Sequence, residues 1–239
     1  MGYSNKEENP GGCAQGGVEM NISLFDVLGP VMIGPSSSHT AGAAKLARVA
    51  RIIAERPFHR VRFGLYGSFA KTGLGHGTRQ ALLAGAMGLS EDDERLRDAQ
   101  ALAEAAGISY EFYEVELDGA HENTAVITFN CDDGSTVEVI GCSVGGGRIK
   151  ITEIDGLAAN IRAESPTLLI TQNDRPGVVG AVSGALAESG LNIAIMRVSR
   201  ETKGDIANCV IETDGKIETD LVERIRRLPN IRSVRAINI

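Results

Sequence analysis

Leu46, Val49, Ala50 and Ile53 recur three or four residues apart, the spacing that lines up one face of a helix. Pro57 closes that helix, because proline cannot continue the ladder of backbone hydrogen bonds. The period then changes to two. In "HRVRFGLYGS", Val61, Phe63 and Leu65 alternate with polar residues, as a half-buried strand does. "KTGLGHGTRQALLAGAMG" predicts a glycine-rich turn running into a second helix built of small residues. "SEDDERLRDAQALAEAAG" carries helix start and stop signals: Ser90 ahead of acidic residues, and Gly107 at the end. "SYEFYEVEL" and "TAVITFN" are expected strands, and "DDG" between "TFNC" and "STVEVIG" a hairpin turn. "VGGGRIKITEIDG" adds a glycine-rich loop and a further strand. Upstream, "NISLFDVLGPVMIG" opens the ordered part, while residues 1–20 show no periodicity and are expected to be a disordered leader.

Helices and strands mix without strict alternation over residues 21–155, which predicts an α+β domain rather than a doubly wound sheet. "LAANIRAESP" has no clear period, and residues 156–165 are expected to be a linker. Beyond it the pattern is plain. "TLLITQ" is a strand, "RPGVVGAVSGALAESG" a helix, "LNIAIMRVSRE" and "DIANCVIET" two strands, "ETDLVERIRRLP" a helix and "IRSVRAINI" a last strand. The order βαββαβ over residues 166–239 is the ferredoxin-like split unit. At its first corner, "QNDRPGVVG", Asn173 and Asp174 are placed to cap the following helix, with Pro176 in its first turn.

Composition removes several function classes. Charged residues make up 23%, aromatics only 4%, tryptophan is absent and the formal charge is −7. That disfavours both a phosphate-backbone binder and a base-stacking platform, so no nucleic-acid partner is expected. No apolar run reaches the roughly 18 residues of a membrane span, and the first residues lack the apolar core of a secretory signal. The chain is expected to be cytoplasmic, with no membrane partner. Cys13, Cys131, Cys142 and Cys209 are widely spaced, form no C-x-x-C and have no histidine at zinc-finger spacing. They are expected to be reduced, mostly structural thiols, and no metal ligands are assigned.

The candidate chemistry sits in "GPSSSHT", directly before the first helix. A helix N-terminus presents unpaired N–H groups and a partial positive charge. Ser36, Ser37, Ser38 and Thr40 add hydroxyl donors, and the set suits a carboxylate or phosphate. His39 can donate as a cation or act as a base near neutral pH. His76 in "GLGHGT" and His121 with Asn123 in "GAHENTAVITF" stand in similar polar company, although either histidine taken alone reads as a surface residue. His59 does not, and is expected to be structural or exposed. "SVGGGRI" either lets a backbone approach a ligand or partner, or is simply a flexible loop beside a strand.

Two resemblances add to this reading. The corner "DRPG" within βαββαβ resembles an ACT domain, a family in which this corner binds a regulatory amino acid at a domain interface. That resemblance implies Asn173, Asp174, Gly177 and Val178 as effector-binding residues; the plainer alternative is that the corner only starts a helix. "GPSSSHTAGAAKLAR", "YGSFAKTGLGHGT", "HENTAVITF" and "SVGGGRI", in this order, resemble the β chain of bacterial iron–sulfur-dependent L-serine dehydratases. The first segment is also similar to the allosteric substrate-binding domain of some phosphoglycerate dehydrogenases. The dehydratase resemblance implies conversion of L-serine to pyruvate and ammonia with a [4Fe–4S] cluster. The dispersed cysteines are not a compact ligand set, so the cluster is expected on a separate α chain as partner. It further implies His39, His76 and His121 as catalytic candidates, and Ser36, Ser37, Ser38, Thr40 and Asn123 as substrate-binding ones. ACT modules also serve for pairing, so dimerisation through them is an expectation. The alternative function is a non-catalytic anion- or amino-acid-sensing regulatory protein.

Overall fold

The structure is a computed structural model that describes residues 36–200 and 202–238. The leader at 1–20, the segment "NISLFDVLGPVMIG" and Cys13 lie outside the described residues. Helix α1 (Gly42–Ala54) buries Leu46, Val49, Ala50 and Ile53 completely, the face that its spacing predicts. It stops three residues before Pro57, with Glu55 in the left-handed conformation as its C-cap. Strand β1 (Phe58–Leu65) buries Val61, Phe63 and Leu65. The short helix α2 (Ser68–Lys71) and helix α3 (Thr78–Ala86) follow.

The next helix begins later than its first serine suggests. Ser90 donates its hydroxyl to Asp92 instead of capping. The cap is Asp93, whose carboxylate accepts from the Arg95 N–H, and a 3-10 turn over Glu94–Asp98 leads into α4 (Ala99–Ala105). Strands β2 (Ser109–Glu114), β3 (Thr124–Cys131), β4 (Thr136–Gly145) and β5 (Arg148–Ile154) complete most of a mixed sheet. The three glycines of "SVGGGRI" make the tight turn between β4 and β5, with Gly145, Gly146 and Gly147 all at positive φ. A Cβ on Gly145 or Gly146 would meet nothing within 4 Å, so these two serve the turn and not a close approach.

The expected linker at 156–165 needs correcting, because Leu157–Ile161 is strand β6, paired antiparallel with β5. It escapes a period-two reading because it is short and broken by Asn160 at φ 54°. The six strands run in the order β2-β1-β3-β4-β5-β6, with β1 and β2 parallel and the other pairs antiparallel. Helices α1 and α3 share one core with this sheet, including Phe63, Ile127, Phe129, Val139 and Ile151.

The C-terminal unit has the expected order: β7 (Thr167–Asn173), α5 (Val178–Glu188), β8 (Ile193–Arg200), β9 (Ile206–Thr213), α6 (Thr219–Arg226) and β10 (Ile231–Ile237). Its antiparallel sheet runs β10-β7-β9-β8. Leu168, Ile170, Cys209, Ile211 and Val234 pack with the two helices, and Leu169, Val210 and Ile237 join the N-terminal core. Burial on both faces explains why "TLLIT" is apolar without alternation. β8, one of the two edge strands, leaves Val198 exposed.

The capping expected at the β7–α5 corner does not occur. Asp174 accepts instead from the Gly204 N–H at 3.0 Å and from Arg200, and Asn173 accepts from Arg232 at 2.7 Å. These partners favour the ionised carboxylate, the Gly204 N–H most of all, and hold the Asp174 pKa below the usual range. Helix α5 starts from Gly177 in the left-handed conformation, with Val178 buried behind it. Asn173 and Asp174 are thus engaged within the module.

Candidate functional site

The chain enters α1 through a widened turn, Ser37–Ala41, in which the Gly42 N–H reaches back five residues to the Ser37 carbonyl. Ser36 precedes it in extended conformation, and its hydroxyl caps the turn by accepting from the His39 N–H at 3.1 Å. The wider turn swings the His39 imidazole inward, where it is 9% exposed. Both ring nitrogens meet hydroxyls. Nδ1 lies 3.2 Å from Ser38 Oγ, and Nε2 lies 3.2 Å from Ser68 Oγ and 3.1 Å from Thr72 Oγ1. Phe69 backs the ring edge-on at 5.4 Å, and the His76 ring lies 5.0 Å away.

Two features deliver these partners. Ser68 and Thr72 stand four residues apart, one turn of α2, so both hydroxyls face the same way. That helix is aimed by Gly67, whose φ of 57° and ψ of −123° suit only glycine. A Cβ there would come within 2.7 Å of the Glu122 carbonyl, the same carbonyl that accepts from the Ser68 N–H at 2.6 Å. His76 is brought in by the turn before α3, where its carbonyl accepts from the buried Thr40 hydroxyl at 3.0 Å. α1 and α3 therefore start side by side.

The expected residues divide into two groups. Ser36, Ser38, His39, Thr40 and His76 converge on one spot. Ser37 contributes its carbonyl to the turn. His121 and Asn123 sit at the head of β3, one residue on either side of the Glu122 that anchors α2. His121 is exposed and accepts from the Asn123 N–H through Nδ1 at 3.1 Å. His59 is exposed, 3.2 Å from Asp132. Sequence reasoning did not single out Ser68 and Thr72, although both lie in "GSFAKTG" with the i, i+4 spacing as a signal. It also missed Ser143, which is fully buried and whose hydroxyl has no partner among the described residues; the Asn123 Oδ1 atom is likewise unpartnered.

Burial lowers the His39 pKa from 6.5, opposed by a hydrogen bond at the Ser68 backbone and helped by the nearby His76. The ring is therefore neutral at neutral pH, with one nitrogen free to take a proton. The stability effect has a definite sign. Between the lowered value and 6.5 the unfolded chain binds the proton and the folded chain does not. This contribution is full above 6.5 and is lost as pH falls through the folded-state value. On acidification below 6.5, the wild-type melting temperature is expected to drop more steeply than that of His39→Gln; parallel curves would contradict the assignment.

No three His, Cys, Asp or Glu side chains converge as a metal-binding set among the described residues. Cys131, Cys142 and Cys209 are all buried, on β3, β4 and β9. Burial pushes the Cys209 thiol up to about 11 and raises that of Cys142, with Lys150 opposing. Buried thiols dispersed over three strands do not fit an iron–sulfur cluster, which needs converging thiolates. Among the described residues no helix is long and apolar enough to cross a membrane.

Comparison with known proteins agrees with the motifs. The ACT domain family matches residues 167–230. An L-serine dehydratase beta chain from Peptoniphilus asaccharolyticus is 40% identical over 206 residues, covering 86% of this chain and 93% of that one. A probable L-serine dehydratase beta chain from Bacillus subtilis is 42% identical over 209 residues, covering 87% and 94%. A D-3-phosphoglycerate dehydrogenase from Bacillus subtilis is 26% identical over 199 residues but is covered over only 37% of its length. The serine dehydratase beta chain family itself matches residues 23–153, the part that carries the His39 cluster, and the chain belongs to that family, with an ACT domain after it.

Proposed function

We propose that this chain is the β chain of a two-chain L-serine dehydratase and supplies the polar half of an active site completed by an α chain. The two dehydratase β-chain relatives are covered over 94% and 93% of their length, which supports reading this chain as the same kind of subunit. The observation that carries the site is the His39 imidazole, buried, neutral and held at both nitrogens by hydroxyls at the mouth of α1.

Dehydration of L-serine removes the Cα proton and the β-hydroxyl as water. In the aminoacrylate left behind a proton moves from nitrogen to the β-carbon, and the resulting imine takes up one water to give pyruvate and ammonia. A serine carboxylate suits the start of α1, where Ser36, Ser38 and the helix dipole favour an anion. His39 is suited to hold a proton in transit, being neutral with one bare nitrogen. His76, 5.0 Å away, stabilises an uncharged His39, since two adjacent imidazolium rings repel. The [4Fe–4S] cluster implied by the motif resemblance would then be carried by the α chain, because the described cysteines of this chain do not form a ligand set. The corner that the ACT resemblance implies for an effector holds Asn173 and Asp174, whose side chains have partners within the module, and Gly177 and Val178 at the start of α5.

Anaerobic co-expression with the α chain of such an enzyme tests the proposal. Pyruvate is expected from L-serine with both chains and not with this chain alone. Carboxylate or phosphate binding without an α-chain complex and without pyruvate would favour the regulatory alternative instead.

A further inference from the structure

The hydroxyl protons around His39 can be placed one by one. Thr72 Oγ1 lies 2.9 Å from the Ser68 carbonyl oxygen, which has no proton, so the Thr72 hydroxyl donates there. Its own oxygen is then left to accept. Ser68 Oγ lies 3.0 Å from Thr72 Oγ1 and donates to it. Both hydroxyl protons are thereby committed, and both oxygens still face His39 Nε2 with lone pairs, at 3.2 and 3.1 Å. Only an N–H on Nε2, shared between the two oxygens, turns both contacts into hydrogen bonds. In the opposite tautomer Nε2 has a single lone pair and can accept from one hydroxyl at most. The other contact would then set lone pair against lone pair.

With the proton on Nε2, Nδ1 is bare and accepts from the Ser38 hydroxyl at 3.2 Å. Ser36 Oγ, 3.4 Å from Ser38 Oγ and already accepting from the His39 N–H, extends the line of hydroxyls toward the mouth of α1. We propose that Ser68 and Thr72 are positioning residues that hold His39 as the Nε2–H tautomer, so that Nδ1 is the basic nitrogen and faces Ser38. This deepens the proposed function and, as far as catalysis is concerned, rests on it. The tautomer itself does not.

The chain has four histidines, so a ring-15N-labelled full-length chain gives four pairs of ring-nitrogen signals, and His39→Gln identifies the pair that matters. Above pH 6.5, nitrogen–proton couplings are expected to show His39 protonated at Nε2 and bare at Nδ1. Thr72→Val removes the hydroxyl at nearly constant shape and is expected to give a mixture of tautomers; Thr72→Ser restores the single form. In the two-chain enzyme, Thr72→Val should lower kcat roughly 10- to 100-fold with little change in KM, the range for outer partners that orient a histidine, and Thr72→Ser should recover it. A proton on Nδ1 of the wild type, or an unchanged tautomer in Thr72→Val, overturns the proposal. A tautomer that shifts in Thr72→Val while kcat stays constant leaves the positioning role in place and removes His39 from the reaction.

Discussion

Replacing His39 by alanine is expected to cut pyruvate formation by the two-chain enzyme at least about 100-fold, the usual scale for losing an acid–base group. The two chains should still associate. The side chain lies inside the turn that starts α1, packed on Phe69 and bonded to Ser38, Ser68 and Thr72, and is 9% exposed. Removing it opens a small polar space but leaves the helices and the sheet alone. The hydroxyls it abandons can bond one another, since Ser68 Oγ and Thr72 Oγ1 are already 3.0 Å apart. The stability loss should therefore stay near the roughly 1–3 kcal/mol of a broken buried polar contact. Sedimentation of the complex beside the pyruvate assay separates the two effects. Near-normal turnover would take His39 out of the mechanism.

The second large effect is expected where two helix backbones cross. Gly85 on α3 faces α1 so closely that a Cβ there would lie 2.1 Å from the Ala44 carbonyl oxygen. That oxygen belongs to a helix backbone and cannot step aside as a flexible side chain would. Gly85→Ala must push α1 and α3 apart, and strain of this kind costs about 1–3 kcal/mol, occasionally more. Because Ser36 to Thr40 lead into α1 and His76 leads into α3, the same displacement stretches the Thr40-to-His76 hydrogen bond. Both melting temperature and turnover should fall in Gly85→Ala. Gly88→Ala, at φ 93° with nothing within 4 Å, is the control: it strains the backbone locally without pressing on α1. Equal turnover in the two variants would argue against coupling between the helix crossing and the site.

How far each feature was legible depended on the range of the interaction that decides it. The buried face of α1 is written in Leu46, Val49, Ala50 and Ile53, because a helix repeats its environment every 3.6 residues. The βαββαβ order was legible for the same reason, with turn residues between clear runs. β6 was not, since its pairing with β5 tolerates Asn160 at positive φ and its buried Ala159 and Ile161 lie in a core shared by residues distant in sequence. Asp174 looked like a cap because Asp before a helix usually is one. Gly204 and Arg200, distant in sequence, claim its carboxylate instead.

The same division runs through the site. Ser36, Ser38, His39 and Thr40 were legible as a group because they are contiguous. That His76 joins them follows only from how closely α1 and α3 pack. Ser68 and Thr72 reach His39 across 29 and 33 positions, and nothing in their own neighbourhood marks them as its partners. Ser143 is plainer still: a serine in a strand gives no sign that its hydroxyl will be fully buried without a partner among the described residues.

A structure of the assembled two-chain enzyme with L-serine, or an unreactive analogue, bound is the most direct measurement. The account predicts the ligand at the start of α1, with Ser36, Ser38 or His39 within hydrogen-bond distance, about 3 Å, of it. A ligand held wholly by the other chain, touching none of these three residues, would contradict it.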